Sequence, residues 1–428
     1  MKLSVIGAGL AGCEAAFAAA ERGIEVTLYE MKPKQYSPAH TSPNFAELVC
    51  SNSLKASRLD SAAGLLKAEM RALGSVCLKS ADNSAVSAGG ALAVDRECFS
   101  KGVTEAVKNH LNITVVEDRV DTIPEGVVII ATGPLTDGAL AEDIAKTCGE
   151  NYLNFYDAAA PIIAAESIDM EKAFFASRYE NGDADYINCP FNKEEYERFH
   201  AELVSAETAP LHDFDTAPKV YEGCMPIEVL AKRGADSIRF GPLKPVGLRD
   251  PKTGHRPWAV VQLRKENEAG TMYNIVGFQT NLKFGEQKRV FSMIPGLENA
   301  EFLRYGVMHR NSFLNSPKLL NSDFSLKSNT NIYFAGQITG VEGYMESAAS
   351  GIIAGINAAN ALLGKPQLLP PEYTMLGALC RHVSSSVSKD FQPMGANFGI
   401  LPELDEKIRD KRMRYMALAQ RAMRFYEI

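Results

Sequence analysis

Three glycines close to the N-terminus have the spacing that binds the pyrophosphate of a dinucleotide. They belong to one segment, whose members are Gly7, Ala8, Gly9, Leu10, Ala11 and Gly12. The first glycine permits a tight turn, the second lets the backbone approach the pyrophosphate, and the third lets a helix pack closely on a strand. A helix N-terminus offers amide donors to phosphates, and Glu30 further along can accept hydrogen bonds from a ribose.

The elements around these glycines supply the context that the fingerprint requires. Residues 2–6 read as a short buried strand, residues 13–22 as an alanine-rich helix, and residues 25–29 as a second strand that ends at Glu30. Strand, glycine turn, helix, strand and acid in this order predict a Rossmann-like nucleotide-binding unit. The alternative is a glycine turn that only packs a helix on a sheet.

A second glycine turn, far along the chain, favours FAD over NAD as the resident cofactor. Residues 331–335 read as a strand that runs into Gly336, and a loop with Gln337 and Gly340 leads into a helix over residues 344–363. A late strand, glycine turn and helix complete the flavin site in two-part flavoprotein folds, and a simple NAD domain would not need them. The small residues of that helix could also serve tight packing alone.

A strand over residues 127–130 leads into Thr132 and Gly133, where small residues would let the chain cross close to the dinucleotide. After about residue 156 the regular alternation of strand and helix stops. The fold class predicted is α/β, a Rossmann-like FAD-binding domain with an inserted α+β domain. The expected division is residues 1–155 for the first part of the FAD-binding domain, 156–302 for the inserted substrate or RNA domain, and 303–428 for the second part with a basic C-terminal helix.

Composition excludes several classes of protein. The chain has 428 residues, of which 46% are hydrophobic and 23% charged, as in ordinary globular proteins. A net charge of -7 disfavours a surface coated in positive charge but leaves room for a local basic face. No apolar run is long enough for a membrane span, and the N-terminus leads straight into a strand, so no signal peptide is expected. The scattered cysteines form no metal-type pair and indicate the cytoplasm.

Seven stretches, including the glycine turn, carry a resemblance to a known family. They are residues 7–12, 46–53, 88–96, 241–247, 276–280, 305–311 and 340–347, with sequences such as Ala-Glu-Leu-Val-Cys-Ser-Asn-Ser at 46–53 and Gly-Val-Glu-Gly-Tyr-Met-Glu-Ser at 340–347. Together they resemble the folate- and FAD-dependent tRNA uracil-5-methyltransferases, the TrmFO family. The resemblance covers the chain up to about residue 400.

The resemblance implies an activity and its cosubstrates. Members of the family form 5-methyluridine in the T-loop of tRNA, so the T-arm of tRNA is the expected partner. Methylenetetrahydrofolate supplies the carbon, and reduced FAD, recharged by NADH or NADPH, supplies electrons. No metal is expected, and the oligomeric state is left open. A related family carries out the same methylation on ribosomal RNA uridine, which remains an alternative substrate.

The resemblance also assigns roles to single residues. Uracil C5 becomes nucleophilic when a thiolate adds to C6, and the C5 proton must later leave, so the reaction requires a nucleophile and a base. Cys224 matches the expected nucleophile, and Cys50 matches the partner in proton transfer or one-carbon handling. His309 matches the histidine that would sandwich the pterin against the flavin, and Arg310 is a weaker candidate for a folate carboxylate, as is Lys283.

Three other functions remain open at this point. The first is a flavin thiol oxidoreductase, which would use Cys50 and Cys224 as a redox pair. The second is an FAD protein that modifies wobble uridines in tRNA, although proteins of that class have longer chains. The third is an FAD-dependent RNA-binding module without catalytic activity. Basic side chains of the inserted domain are candidates for RNA contact, namely Lys244, Arg249, Lys252, Arg256, Arg264 and Lys265. The tail over residues 407–424 holds seven basic residues and one acid, which fits either a solvated helix or contact with a polyanion.

Overall fold

The structure is a computed structural model that describes residues 1–149, 153–180, 184–209, 225–385 and 391–427. Its strands are β1 Lys2–Ile6, β2 Glu25–Glu30, β3 Ser53–Ala56, β4 Ala85–Val86, β5 Ala91–Val94, β6 Ile113–Glu117, β7 Val127–Ile130, β8 Leu153–Ala158, β9 Ile162–Ala164, β10 Phe174–Phe175, β11 Tyr186–Phe191, β12 Ala259–Lys265, β13 Met272–Ile275, β14 Phe302–Arg304, β15 Met308–Phe313, β16 Ser325–Leu326 and β17 Asn329–Phe334. Its α-helices are α1 Leu10–Ala20, α2 Ala62–Ala72, α3 Val76–Asn83, α4 Arg96–Lys108, α5 Gly138–Cys148, α6 Lys193–Ser205, α7 Ile227–Ala231, α8 Phe284–Phe291, α9 Ser316–Leu319, α10 Tyr344–Leu363, α11 Met375–Ser385 and α12 Lys411–Met423.

The first sheet has the order β16-β17-β7-β1-β2-β6, and β17, β7, β1, β2 and β6 are parallel. Its central strands carry buried valine, isoleucine and leucine, as parallel strands covered on both faces do. The carboxyl ends of parallel strands form one edge, where a doubly wound sheet binds its ligands. The predicted α/β class and its Rossmann-like sheet are confirmed.

Helix α10 lies against α1, and small residues permit the close contact. A Cβ atom added at Gly351 would overlap the carbonyl oxygen of Ala11, and one at Gly355 would overlap that of Ala15. The small residues of α10 are therefore needed for helix packing, as in the alternative that the sequence left open. The predicted bounds of this helix, 344–363, agree with the structure.

The second sheet has the order β10-β11-β12-β13-β9-β14, with antiparallel neighbours throughout. Its core includes a row of aromatic side chains from β11, α6 and α8, such as Phe191, Phe199 and Phe291. Asn192 caps α6 with a complete capping box, in which Glu195 reciprocates. Strands β12 and β13 pair antiparallel, and α6 follows β11 directly, so the region combines strands and helices as an α+β unit does.

Two short sheets lie beside these larger ones. Strands β8 and β15 pair over six residues, from Leu153 opposite Phe313 to Ala158 opposite Met308. Strands β3, β5 and β4 form a small antiparallel sheet next to residues 48–52. The backbone amide of Ser312 donates to the carbonyl of Pro134 at 2.8 Å, which holds β15 close to the carboxyl end of β7.

Candidate active site

The glycine turn has the geometry that its sequence predicts. Gly7 has φ +95°, a conformation that side chains rarely adopt, and a Cβ there would crowd the carbonyl of Ala131. A Cβ at Gly12 would overlap the carbonyl oxygen of Gly7, so the helix packs directly on the turn. At Gly9 a Cβ meets nothing within 4 Å. The space beside Gly9 is therefore open for a ligand, whereas Gly12 is required by packing.

The acid at the end of β2 is buried and is part of the turn. One carboxylate oxygen of Glu30 accepts the backbone N–H of Ala8 at 2.8 Å, and the other accepts that of Lys32 at 3.0 Å. Glu30 is only 6% exposed, yet it lines the cavity described next. Each carboxylate oxygen retains a second acceptor position, which suits a ribose hydroxyl.

A cavity opens at the carboxyl edge of the parallel sheet. It is bounded by the glycine turn, the residues after β2, the ends of β6 and β7, the turn after β17 and the start of α10. The predicted site residues that line this cavity are Gly7, Gly9, Leu10, Ala11, Glu30, Thr132, Gly133, Gly336, Gln337 and Cys50. Residues distant in sequence thus converge at the expected edge of the sheet.

Three predicted cofactor residues lie behind this lining. Ala8 donates its amide to Glu30, and Gly12 packs on the turn. Gly340 has φ +83°, and a Cβ there would meet the ring of Phe391. These residues shape the walls of the cavity, and a cofactor contact from any of them stays a prediction.

Cys50 lies in a loop that is fixed by a tyrosine from the other end of the chain. Tyr344 is the first residue of α10, and both its side chain and Cys50 line the cavity. The phenol oxygen accepts the backbone amides of Cys50 and Ser51. Burial raises the pKa of Tyr344, and the nearby Cys50 thiolate adds to that effect, so the phenol stays protonated near neutral pH.

Arginine side chains hold the same loop from behind. Arg96 donates to the carbonyl oxygens of Leu48 at 2.6 Å and Cys50 at 3.3 Å, while its Nε binds Glu266 at 2.6 Å. Arg304 donates to the carbonyl oxygen of Val49. Consecutive carbonyls from residue 48 to residue 50 are therefore all bound by guanidinium groups.

A third guanidinium completes this arrangement. Arg264 donates to the side chains of Ser51 at 2.7 Å and Asn52 at 3.0 Å. Asn52 in turn donates to the carbonyl oxygens of Val94 and Lys265, which joins the loop to β5 and β12. Arg264 is only 8% exposed, so its expected role as a surface contact for RNA is wrong, and its role is to hold the cysteine loop.

The loop lies in a strongly positive environment. The charges of Arg96, Arg264 and Arg304 all interact with the Cys50 thiolate. Burial lowers the pKa of Arg264 and Arg304. Burial also acts to lower the pKa of Arg96, but the combined effect of Glu266, Tyr344 and Cys50 is larger and raises it. Arginine nevertheless stays charged at any physiological pH. Cations around a cysteine stabilise its thiolate, which is the reactive form.

The remaining predicted site residues are the second cysteine and the candidates for folate contact. Cys224 lies outside the described residues. His309 and Arg310 lie in β15, whose backbone pairs with Asp157 and Tyr156, and the same strand carries Asn311 into the cavity lining. Lys283 forms an ion pair with Glu207 at 2.6 Å on the surface.

Sequence reasoning missed the residues that position the cysteine loop. Tyr344, Arg96 and the serine at 51 lie within stretches that carried the family resemblance, but their roles depend on contacts between distant segments. It also missed the segment after Glu30, where Lys32 and His40 line the cavity. Burial lowers the pKa of His40, and its Nδ1 lies 2.6 Å from Ser37 Oγ. A buried lysine and a half-buried histidine after the acid give no periodic signal.

Two classes of site find no support among the described residues. No group of three or more histidine, cysteine, aspartate and glutamate side chains in the described ranges is placed to hold a metal ion. None of the helices in the described part of the chain combines the length and hydropathy of a membrane span.

The cavity fits FAD. Open space beside Gly9, a tight turn at Gly7 and the buried acceptor Glu30 suit the adenosine pyrophosphate half, and the turn after β17 with the start of α10 provides the second half of the wall. The fold and this divided site define a two-part FAD-binding protein of the doubly wound class.

Comparisons with known proteins give the family. The model of the family "Glucose inhibited division protein A" matches residues 2–366. A methylenetetrahydrofolate--tRNA-(uracil-5-)-methyltransferase TrmFO from Acetivibrio thermocellus is 62% identical over 99% of this chain and 97% of its own, and the Halalkalibacterium halodurans protein of the same name is 58% identical over 98% and 97%. Aquifex aeolicus GidA shares the fold with a TM-score of 0.66 at 17% identity, over 98% of this chain and 76% of that one. The chain belongs to the TrmFO family.

Proposed function

We propose that this protein is an FAD-dependent enzyme that methylates C5 of a uridine in the T-loop of tRNA, with methylenetetrahydrofolate as the carbon donor. The observation that carries the proposal is the near-complete alignment, at 62% identity, with a relative of that name. The divided cavity, with a cysteine in its wall beside the fitted FAD site, supports it independently. FAD is the resident cofactor, and NADH or NADPH is the source of electrons.

The chemistry requires one thiolate that adds to uracil C6 and one base that removes the C5 proton. We assign the addition to Cys224 and the proton transfer to Cys50. Three guanidinium groups near the Cys50 loop support this second role, because they favour the thiolate that would accept the proton. Departure of that proton restores the double bond of the base as Cys224 is expelled from C6.

The chain's own residues would position each reactant in this scheme. Tyr344 and the arginines hold the backbone of the loop that carries Cys50 in the cavity wall. A base flipped out of the T-loop could reach that thiol only from the open side of the cavity. Bound reduced FAD would supply the electrons that convert the transferred one-carbon unit to a methyl group.

Folate would lie against the strand that follows the second sheet. His309 is proposed to stack on the pterin and Arg310 to contact a carboxylate of the glutamate tail. The course of β15 supports this placement, since Asn311 on the same strand lines the cavity. The proposal for these two side chains otherwise depends on the family resemblance.

The partners that follow are the T-arm of tRNA and folate, and the place of action is the cytoplasm, where both are found. The division into residues 1–155, 156–302 and 303–428 is retained as a proposal. The assignment of strands β9–β14 to one sheet, distinct from the parallel one, supports it.

Methyl transfer to defined RNA tests the function. The purified protein, FAD, NADPH and radiolabelled methylenetetrahydrofolate are incubated with an unmodified tRNA transcript and, in parallel, with a ribosomal RNA fragment. Label in 5-methyluridine of the tRNA T-loop is the expected result. Label in ribosomal RNA alone would move the substrate to that class, and reduction of a disulfide acceptor without any RNA methylation would replace the proposal by a thiol oxidoreductase.

A further inference from the structure

A row of exposed cations extends from the segment after the cysteine loop to the start of α12. We call it the cationic ridge, and its members are Lys55, Arg58, Lys411, Arg412 and Arg414. Lys55 follows the cysteine loop and lies beside Gly343, the residue before Tyr344, because a Cβ at Gly343 would lie 2.8 Å from its Nζ. The ridge therefore begins next to Tyr344, which lines the cavity.

Ion pairs to two buried acids hold three members of the ridge. Asp60 binds Arg58 at 3.1 Å through one oxygen and Arg412 at 2.9 Å through the other. Lys55 binds Glu346 at 2.9 Å. The two acids are buried, with 3% and 1% of their side chains exposed, whereas the three cations expose 52%, 66% and 77% of theirs. The surface that faces solvent is therefore positive: Asp60 with its two arginines sums to +1, and Lys55 exposes its cation while its partner Glu346 is buried.

The acids on neighbouring segments do not cancel this charge. Asp410 caps α12 by accepting the amide of Met413 at 2.8 Å. Over residues 403–414 five basic side chains stand against four acids, so this segment keeps a net charge of +1. Positive side chains in the first turn of a helix oppose its dipole. Lys411, Arg412 and Arg414 thus do not stabilise α12 through that interaction.

The chemistry of the ridge fits RNA better than a membrane surface. The apolar side of α12 is already buried in the protein through Leu418, Ala419 and Ala422, and Tyr415 stacks on Phe398 at 4.3 Å. An interfacial helix would need that face to enter lipid. What remains exposed is a line of guanidinium and ammonium groups, which match the spaced phosphates of a nucleic acid backbone.

We infer that the cationic ridge binds the phosphate backbone of the tRNA whose uridine enters the cavity. The inference depends on the proposed function and adds the surface that would recognise the substrate. Phosphates flanking a flipped nucleotide would lie beside Lys55, and the adjoining strand would continue along Arg58 toward α12. Such contacts position the RNA without reading its bases.

The test compares two triple charge reversals. The ridge variant is Arg58→Glu with Lys411→Glu and Arg414→Glu, and it leaves Arg412 on Asp60 and Lys55 on Glu346. The matched control changes exposed lysines on α4, α6 and α8, as Lys101→Glu with Lys193→Glu and Lys288→Glu. Both variants alter the net charge equally. Binding of an unmodified tRNA transcript is measured by fluorescence anisotropy at several salt concentrations.

The ridge variant should bind tRNA about 100-fold more weakly than the wild type, and the slope of log Kd against log salt should fall by about 3. The control should stay within about threefold. FAD content and RNA-independent NADPH oxidation should be normal in both. The double variant Lys411→Ala with Arg414→Ala removes two charges without reversing them and should lose less tRNA affinity. It replaces the ridge variant in the test if the charge reversals disturb folding.

Equal losses in the ridge variant and the control, or no loss in either, would overturn the inference. Retained tRNA affinity with lost binding to phosphatidylglycerol vesicles would assign the ridge to membranes instead. If the wild type and the ridge variant methylate tRNA equally well, the inference about the ridge is refuted and the proposed function is retained. A wild type that methylates no RNA refutes the proposed function itself.

Discussion

The phenol oxygen of Tyr344 lies 2.6 Å from the backbone nitrogen of Cys50 and 3.1 Å from that of Ser51. One side chain at the start of α10 therefore binds the loop that carries the cysteine. The two residues are 294 positions apart in the chain. The position of the thiol relative to the cavity consequently depends on the packing of α10.

Replacing Tyr344 by phenylalanine should uncouple the cysteine loop from α10. Two partly buried amides lose their acceptor, which costs on the order of 1–3 kcal/mol, and a displaced thiol should slow methyl transfer on the order of 100-fold. FAD content should remain normal. Tyr36→Phe, at an exposed position, is the control. Wild-type turnover in the Tyr344→Phe enzyme would show that the arginines alone suffice to position the loop.

Valine substitutions at two glycines should separate binding from folding. Gly9 has φ -72° and open space around its Cβ position, so Gly9→Val should fold and yet lack FAD, because the side chain occupies the pyrophosphate position. Gly12→Val should fail to fold, since its side chain overlaps the Gly7 carbonyl. Circular dichroism and the flavin spectrum report the two properties. If the Gly9→Val protein is yellow and so retains FAD, the pyrophosphate does not bind at this turn.

A tRNA containing 5-fluorouridine should identify the nucleophile. Fluorine replaces the proton that must leave C5, so the adduct cannot break down normally after carbon transfer. Cys224→Ala should lose both activity and the trapped complex while its flavin spectrum is unchanged, and Cys50→Ala should lose activity. Peptide mapping locates the crosslink. Attachment at Cys50 would reverse the two roles, and an active Cys224→Ala enzyme would exclude Cys224 from the mechanism.

A buried lysine should make a contribution to stability that rises with pH. Lys67 is fully buried, and burial lowers its pKa from 10.5 to about 8, although Glu346 partly opposes this shift. Between these values the unfolded chain binds more protons at Lys67 than the folded one, so the contribution of Lys67 to the free energy of unfolding increases with pH, by about 2–3 kcal/mol. Urea unfolding at pH 7.5 and pH 10 should show that Lys67→Met loses this rise relative to the wild type, whereas Lys79→Met keeps the pH dependence of the wild type. Equal pH dependence in Lys67→Met and the wild type would contradict the assignment to Lys67.

Local patterns predicted the parts of the site that depend on neighbours in sequence. The turn from Gly7 to Gly12 and the helix over residues 344–363 are specified by glycine spacing and helical periodicity, and both agree with the structure. The same holds for the late strand before Gly336, where the structure ends β17 at Phe334.

Contacts between distant segments could not be predicted in this way. Arg96, Arg264 and Arg304 come from three different elements, and only the folded chain shows that all of them bind residues 48–52. An arginine read in sequence is most often a solvated charge, and no pattern around Arg264 separates it from the other candidates for RNA contact. Its burial follows from the paired acceptors on Ser51 and Asn52, which no periodicity records.

The packing of α10 on α1 also determines when the cofactor site can come into existence during synthesis. The glycine turn leaves the ribosome first, but its opposite wall, at Gly336 and Tyr344, emerges only after the whole antiparallel sheet. Non-local pairing of this kind is slow to form. Until it does, the nascent chain holds half a nucleotide pocket and an unpaired helix face rich in alanine. Flavin capture is therefore a late event in synthesis, and a ribosome stalled within the second sheet should carry a colourless polypeptide.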